Sequence, residues 1–223
     1  MVEKDSLGEV ISLDRHQAIL MTFYRNNIIH LFAIPSLVAQ MLTFKTSVHR
    51  SMLFDTVRRL YPLLKAELFM SFDDASLESY LDATLIEMER QSLIIVDGET
   101  ISRNPAKLTQ LQLLGRTIAE TLQRYAITLA LFSHEPDTSK SDLEQQSQMM
   151  AQRLSRLHGI NAPEFFDKGV FSTLLNSLRE EGYLNEDDHA RTDKVEALRE
   201  SVFGLISPEV QLTIEAIQSH PAE

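Results

Sequence analysis

Residues 28–44 read IIHLFAIPSLVAQMLTF, a run of seventeen residues without an acidic residue, a lysine or an arginine. In a helix, residues spaced by three and four lie on the same face. The small and polar residues of this run, together with Asn26 just before it, have that spacing: Asn26, His30, Ala33, Ser36, Gln40 and Thr43. They form one narrow stripe, and the rest of the helix surface is apolar. A helix of this composition is typical of a protein interior, so the pattern predicts a long buried helix that begins near Asp14.

A membrane span is the alternative interpretation of the same run. A transmembrane helix needs about 20 apolar residues, whereas this run is shorter and follows directly on Arg25, Asn26 and Asn27. It also carries a central proline, Pro35, at which we expect the helix to kink or to restart with Ser36 as its N-cap. The spacing and the proline together favour a core helix over a span.

Composition excludes several classes of function. The chain has 223 residues, 43% of them apolar, so it can bury a substantial core. It has no cysteine, which rules out disulfides and thiolate metal sites. Its formal net charge of −11 repels nucleic acid phosphates and anionic bilayers. Only seven glycines are present, and none forms a phosphate-binding GxGxxG or GxxxxGK loop.

Two further helices and a hairpin are predicted in the first half of the chain. Residues 52–69 place four apolar residues on one helical face, and Pro62 is expected to end or bend this helix: Leu53, Val57, Leu60 and Leu64. Residues 72–92 do the same after an N-cap at Asp74 or Ser76: Leu77, Leu81, Leu85 and Met88. LIIVDGETIS, residues 93–102, then predicts a β-hairpin with a two-residue type I′ turn at Asp97-Gly98.

The second half repeats this order of elements. A long helix at residues 108–132 precedes a helix from about Asp142 to His158, which ends at Gly159, and Asp167 begins another. A shift of about ninety residues aligns the apolar positions of the two halves. We therefore expect a mainly α domain with one or two small β-hairpins, built from two winged-helix-like halves at about 14–105 and 106–187, with polar ends at 1–13 and 218–223.

Catalytic and metal-binding motifs are not found. No histidine has a serine, cysteine or acidic partner at a recognisable spacing, and no HExxH or paired i, i+4 histidines occur, so we expect no metal and no cofactor. Helix, helix and hairpin in this order is the pattern of a winged helix, yet the helix before the hairpin carries four acids against Arg90 alone. DNA binding through that helix is disfavoured, and an adaptor that binds protein or nucleic acid is kept as the alternative function.

Four stretches carry a resemblance to a known family: FYRNNIIHLFAIPSLVA, LYPLLKAELF, ETLQRYAIT and MAQRLSRLHGINAPEFFDKGVFSTLLNSLREEGYL. They resemble the C-terminal region of the large, membrane-associated bacterial glycerol-3-phosphate acyltransferases, from about Phe23 to Ile217. That family makes lysophosphatidic acid from glycerol 3-phosphate and an acyl thioester of carrier protein or coenzyme A, in phospholipid synthesis. Its chemistry uses a histidine followed five positions later by an aspartate, the histidine acting as general base.

This motif is absent here. The residues five positions after the histidines are Met21, Pro35, Phe54, Ser139, Pro163 and Lys194. The resemblance therefore implies a non-catalytic C-terminal domain over residues 1–223, inactive by itself. It would brace or regulate an upstream acyltransferase domain of the same protein, peripheral to the cytoplasmic face of the inner membrane, with no nucleic acid partner.

The upstream acyltransferase domain that the resemblance implies would give the apolar run at residues 28–44 a physical role. A helix that is apolar on nearly every side must be covered on every side. We expect an apolar patch within residues 28–44 or 125–132, which the isolated chain buries only by self-association. The candidate interface residues border these stretches: Tyr24, Arg25, Asn26, Asn27, Ile28, His30, Leu31, Gln123, Arg124 and Tyr125. Hydrogen bonding at helix ends within the domain is the alternative role for the polar members of this set.

Overall fold

The computed structural model describes only part of the chain. It covers residues 2–5, 8–11, 15–70, 75–160, 162–184 and 192–219. Within these ranges, side chains are described for Gln17 and from Ile28 onward, except those of Pro163, Thr192, Gln218 and Ser219.

Helices dominate the described residues, as the sequence predicts. The helices are α1 Arg15–Phe44, α2 Arg50–Leu68, α3 Leu77–Arg90, α4 Leu108–His134, α5 Lys140–His158, α6 Lys168–Glu180, α7 Thr192–Phe203 and α8 Pro208–Ser219. The strands are β1 Val2–Asp5, β2 Gly8–Ile11, β3 Ser47–His49, β4 Ile94–Asp97 and β5 Thr100–Arg103. The predicted apolar faces are the buried faces of α2 and α3, and Gly159 ends α5 with a positive φ of 65°.

The first half has the connectivity of a winged helix. Strand β3 follows α1, helices α2 and α3 come next, and the β4–β5 hairpin closes a three-stranded antiparallel sheet of order β3-β5-β4. Val48 and Val96 both face Ile101 across this sheet. The two-residue turn is present but lies one position later than predicted, at Gly98 and Glu99 between the paired Asp97 and Thr100. Only Gly98 has a positive φ, which is the pattern of a type II′ turn and not of type I′.

Both prolines lie inside helices, so the predicted restart of the helix after Pro35 and the predicted end at Pro62 are wrong, while a kink or bend at either proline stays a prediction. Helix α1 continues through Pro35 and α2 through Pro62. Each proline removes the N–H that would bond the carbonyl four residues earlier, at Leu31 and Arg58. Both of these residues are exposed, so water can solvate the freed carbonyls and the interruption costs little. Ser36 is accordingly not an N-cap: it is fully buried within α1 and its hydroxyl has no hydrogen-bond partner among the described residues.

The core is organised around the packing of α1 against α4. Gly115 of α4 lies against Gln40 of α1, so close that a Cβ at this glycine would be 3.2 Å from the Gln40 backbone nitrogen. The small-or-polar stripe of α1 therefore faces α4 at this crossing. Gln40 also donates a hydrogen bond from Nε2 to the carbonyl of Leu205, 2.9 Å away, just after α7. One glutamine thus joins the three helices.

Helices α7 and α8 cover the outer side of α4. Ser133 of α4 donates to Glu196 of α7 at 2.8 Å, and Arg59 of α2 donates to the carbonyl of Ala197 at 2.9 Å. With this cover, residues 125–130 of α4 are buried. The order α4, α5, α6 repeats that of α1, α2, α3, and Leu184 forms a bridge after α6, but residues 185–191 lie outside the described part of the chain. The duplication and its boundaries stay a prediction.

Candidate interface surface

The candidate residues on α1 divide into two groups. Tyr24, Arg25, Asn26 and Asn27 lie in the part of the helix whose side chains are outside the described set. Of the others, His30 is half-buried, while Ile28 and Leu31 are 49% and 55% exposed and their neighbour Phe32 is 43% exposed. These three apolar residues, Ile28, Leu31 and Phe32, are spaced by three and four and form one exposed strip, here called the α1 strip.

The candidate residues on α4 lie inside the fold. Arg124 and Tyr125 are buried, and Gln123 is half-buried. The guanidinium of Arg124 forms an ion pair and hydrogen bond with Glu67 in the last turn of α2 and donates to the Thr121 hydroxyl at 3.0 Å. Thr121 in turn donates to the same carboxylate oxygen at 3.3 Å. In this structure the set joins α2 to α4 and presents little surface to a partner.

The polar groups of this cluster are incompletely paired. Four buried atoms of the cluster have no hydrogen-bond partner among the described residues: Glu67 Oε2, Gln123 Oε1, Arg124 Nε and the Tyr125 hydroxyl. Burial, and then the negative charge of Glu67, raise the pKa of Tyr125 well above its ordinary value. The phenol therefore stays protonated throughout the neutral range.

Beside the α1 strip lies an apolar groove, bounded by α1, by α3 with the residues that follow it, and by the start of α4. It consists of two adjoining cavities of about 580 and 360 Å³, and both include Phe32, Leu93 and Leu114 in their walls. The apolar walls are completed by Ile28, Ile29, Leu31, Pro35, Ala83, Met88 and Leu113. We call this feature the α1–α3–α4 groove.

Few charged side chains border the groove. Glu87 is bound by Arg90 at 2.7 Å and by Gln91 at 2.6 Å, and these hydrogen bonds lower the pKa of Glu87 to about 2. Lys107, at the α4 end, is half-buried and has no ion pair or side-chain hydrogen bond with any described residue. Among the described residues that line the groove, Lys107 is thus the one charged group left without a partner.

Two of the described histidines make hydrogen bonds within the fold. His49 accepts a hydrogen bond from the backbone N–H of Ser51 at 3.3 Å and so caps α2, while His158 bonds Thr213 at 3.0 Å. The side chains of His16, His189 and His220 are outside the described set. Within that set, no three histidine, aspartate or glutamate side chains converge in a way that could hold a metal ion.

Comparison with known families identifies the region of a larger protein to which this surface belongs. Residues 1–187 match the family described as the glycerol-3-phosphate acyltransferase C-terminal region. The chain belongs to this family. The glycerol-3-phosphate acyltransferase C-terminal region is by its description one part of a larger acyltransferase, which implies an upstream catalytic domain. The match ends at residue 187, so α7 and α8 lie beyond it.

Two other results concern this acyltransferase region. No solved structure matches the chain. Among the described residues, none of the helices combines the length and the apolar character that a membrane crossing requires. The prediction of a core helix for residues 28–44 agrees with this result.

Sequence reasoning missed three contributors to the groove. Phe32 lies four residues after Ile28 and could have been found from the same helical spacing. Leu113 and Lys107 belong to α4 and to the turn before it, more than sixty residues after the end of α1, and only the packing of α1 on α4 brings them to one surface. No local signal marks that proximity.

Proposed function

We propose that this chain is the non-catalytic accessory domain of a glycerol-3-phosphate 1-O-acyltransferase. The parent enzyme would make lysophosphatidic acid from glycerol 3-phosphate and an acyl thioester of carrier protein or coenzyme A, a step of phospholipid synthesis. The domain braces or regulates the upstream catalytic part and requires no cofactor. Family membership supports the parent activity, and the α1 strip supports the docking role.

The α1 strip is the observation that carries this proposal. Three large apolar side chains lie side by side on one helix beside an apolar groove. Single exposed apolar residues scattered over a surface are normal, but they do not form a contiguous patch of this kind. Helix α4 shows the contrast, because residues 125–130 are covered by the rest of the chain. Cover supplied by the upstream domain would remove the strip from water, at about 25 cal/mol per Å² of apolar surface buried.

The remaining candidate residues enter the proposal in two ways. Tyr24, Arg25, Asn26 and Asn27 precede the strip on α1, and with His30 they supply a polar border to the interface. Gln123, Arg124 and Tyr125 act indirectly, since their cluster with Glu67 fixes α4 against α2 and so supports the helices that carry the groove.

Location follows from the parent enzyme. We place the domain on the cytoplasmic side of the inner membrane as part of a peripheral protein. The formal charge of −11 argues against direct contact between this domain and an anionic bilayer, so the upstream part would make the membrane contact.

Co-purification with the separately expressed upstream part tests the docking role. Ile28→Asp and Leu31→Asp should each abolish association while leaving circular dichroism and the unfolding midpoint nearly unchanged, because both side chains are already in water in the isolated domain. Leu212→Asp, on a leucine of α8 that is 66% exposed, is the matched control and should still associate. Association that survives both α1 substitutions would overturn the proposal. Acyl transfer by the isolated chain would contradict its assignment as non-catalytic.

A winged-helix adaptor is the second candidate, favoured by the β3-β5-β4 sheet that follows two helices. The face of α3 is acidic, and its acids already bind the arginines of α2: Asp82 pairs with Arg50, and Glu78 with Arg58 at 2.5 Å. Cations that could contact phosphates are thereby neutralised. A salt-dependent gel shift of DNA by the purified chain would favour the adaptor, and no shift at low salt would exclude DNA binding of this kind.

A further inference from the structure

We infer that the α1–α3–α4 groove receives one amphipathic helix from the upstream part of the same polypeptide, oriented so that an acidic side chain of that helix faces Lys107. The inference rests on the proposed function and specifies the contact through which the domain would bind the upstream part. Three features of the groove carry it: the helical construction of its walls, the exposure of its apolar lining and the unpaired ammonium group at one end.

The walls decide the secondary structure of the occupant. They are formed mainly by α1, α3 and α4, whose backbone N–H and C=O groups are engaged within their own helices, apart from the carbonyl of Leu31, which lacks its donor because residue 35 is a proline. An extended segment in this groove would bury its own backbone groups without partners, at a cost comparable to a lost hydrogen bond for each. A helix satisfies its backbone internally and offers apolar side chains at intervals of three and four. The groove therefore fits a helix better than a strand.

The exposure of the lining argues against a lipid acyl chain. Ligand pockets bury most of the ligand surface, roughly 70–90%, whereas the walls of this groove, such as Ile28, Phe32 and Leu113, are themselves about half exposed or more. An acyl chain lying there would keep much of its surface in water. A helix about 10 Å across covers the groove and its exposed rims together.

A second copy of the chain is also a poor occupant. A two-fold dimer brings the same surface of both copies together, so one concave groove would face another and leave a gap. Two chains of net charge −11 also repel each other. The upstream part of the same polypeptide is tethered to this domain, which gives it an effective concentration that a free partner lacks.

Lys107 specifies the charge of the occupant. Its ammonium group lies at the edge of the groove with no ionic partner among the described residues, and covering it without one would carry a desolvation cost. A carboxylate on the covering helix removes this cost and fixes the direction in which that helix lies. Glu87, on the other side of the groove, is already paired with Arg90, so the covering helix does not need to supply a charge for it.

Single-cysteine crosslinking tests the inference, because the chain contains no cysteine of its own. Leu113→Cys is labelled with a photoactivatable maleimide and mixed with the separately expressed upstream part. Ile95→Cys, a similarly apolar and exposed position on β4 that does not line the groove, is the control. We expect the label at position 113 to crosslink residues of one upstream segment at helical spacing, and the label at position 95 to give none.

The outcomes separate the two proposals. Without association of the two parts, both proposals fail. If they associate but the crosslinks arise from position 95, or reach alternate residues of an extended segment, the helix-in-groove inference is overturned and the accessory role stands. Lys107→Glu should weaken association about tenfold, the value of one charge-assisted contact, while Lys107→Arg should restore it. Equal affinity of the Glu and Arg variants would refute the acidic contact.

Discussion

Replacing Arg124 by methionine should destabilise the domain by about 3–5 kcal/mol. The Arg124 and Glu67 side chains are only 7% and 9% exposed, so the substitution leaves a buried carboxylate whose remaining described partner is the Thr121 hydroxyl. A loss of roughly 4 kcal/mol lowers the folding equilibrium constant about 1000-fold, a large share of the ~5–15 kcal/mol that holds a typical domain together. The pair lies 57 residues apart in sequence, so the loss would separate α2 from α4.

Urea unfolding followed by far-UV circular dichroism measures this loss. Glu67→Leu combined with Arg124→Met should recover most of it, to within about 2 kcal/mol of the unmodified chain, because no buried charge is then left unpaired. Arg58→Ala is the matched control: its pair with Glu78 is 56% and 64% exposed, and it should cost about 0–1 kcal/mol.

If Arg124→Met costs no more than Arg58→Ala, or if the double substitution is as unstable as the single one, the buried pair is not the link between α2 and α4 that the structure indicates.

Three further substitutions test other features of the fold. Gly115→Ala should destabilise by about 1–3 kcal/mol in urea unfolding, because the new methyl group would press on the Gln40 backbone, whereas Gly204→Ala, with its nearest neighbour 3.5 Å away, should change stability by well under 1 kcal/mol. The raised pKa of Tyr125 means that only the unfolded chain loses this proton near pH 10, so the unfolding free energy should fall as pH rises above about 10, and Tyr125→Phe should flatten that fall. Phe69 caps α2 with a positive φ of 53° while its side chain is exposed, so Phe69→Gly should raise the thermal midpoint by relieving about 1 kcal/mol of backbone strain, and an unchanged or lower midpoint would show that the phenyl ring contributes a contact.

Local patterns were sufficient for most of the helices. The faces of α2 and α3 depend on spacing within one helix, and both are buried as predicted. The end of α5 at Gly159 follows from the conformation that glycine adopts readily. The hairpin was found from one turn signal, although its turn type was not. In these cases the information lies within a few residues of the feature it predicts.

The errors arise where distant parts of the chain decide the outcome. Continuation of α1 through Pro35 depends on the packing of α1 against α4 and on solvent at Leu31, and neither is visible in the local sequence. The burial of Arg124 depends on Glu67, which no spacing rule connects to it. Likewise, the enclosure of residues 125–130 depends on α7, which approaches from more than sixty residues further along the chain. Sequence could propose that an apolar helix needs cover; only the structure distinguishes which helix already has it.

The missing N–H of Pro35 has a consequence for selectivity. The carbonyl of Leu31, which loses its usual helical donor, lies on the same turn as the exposed apolar side chains beside it. A purely apolar surface that covers this turn would remove water from the Leu31 carbonyl oxygen without offering it a hydrogen-bond donor. If the upstream domain docks on this turn as proposed, it would have to bring a hydroxyl, amide or ordered water to the Leu31 carbonyl, and an apolar surface without such a group would bind less well.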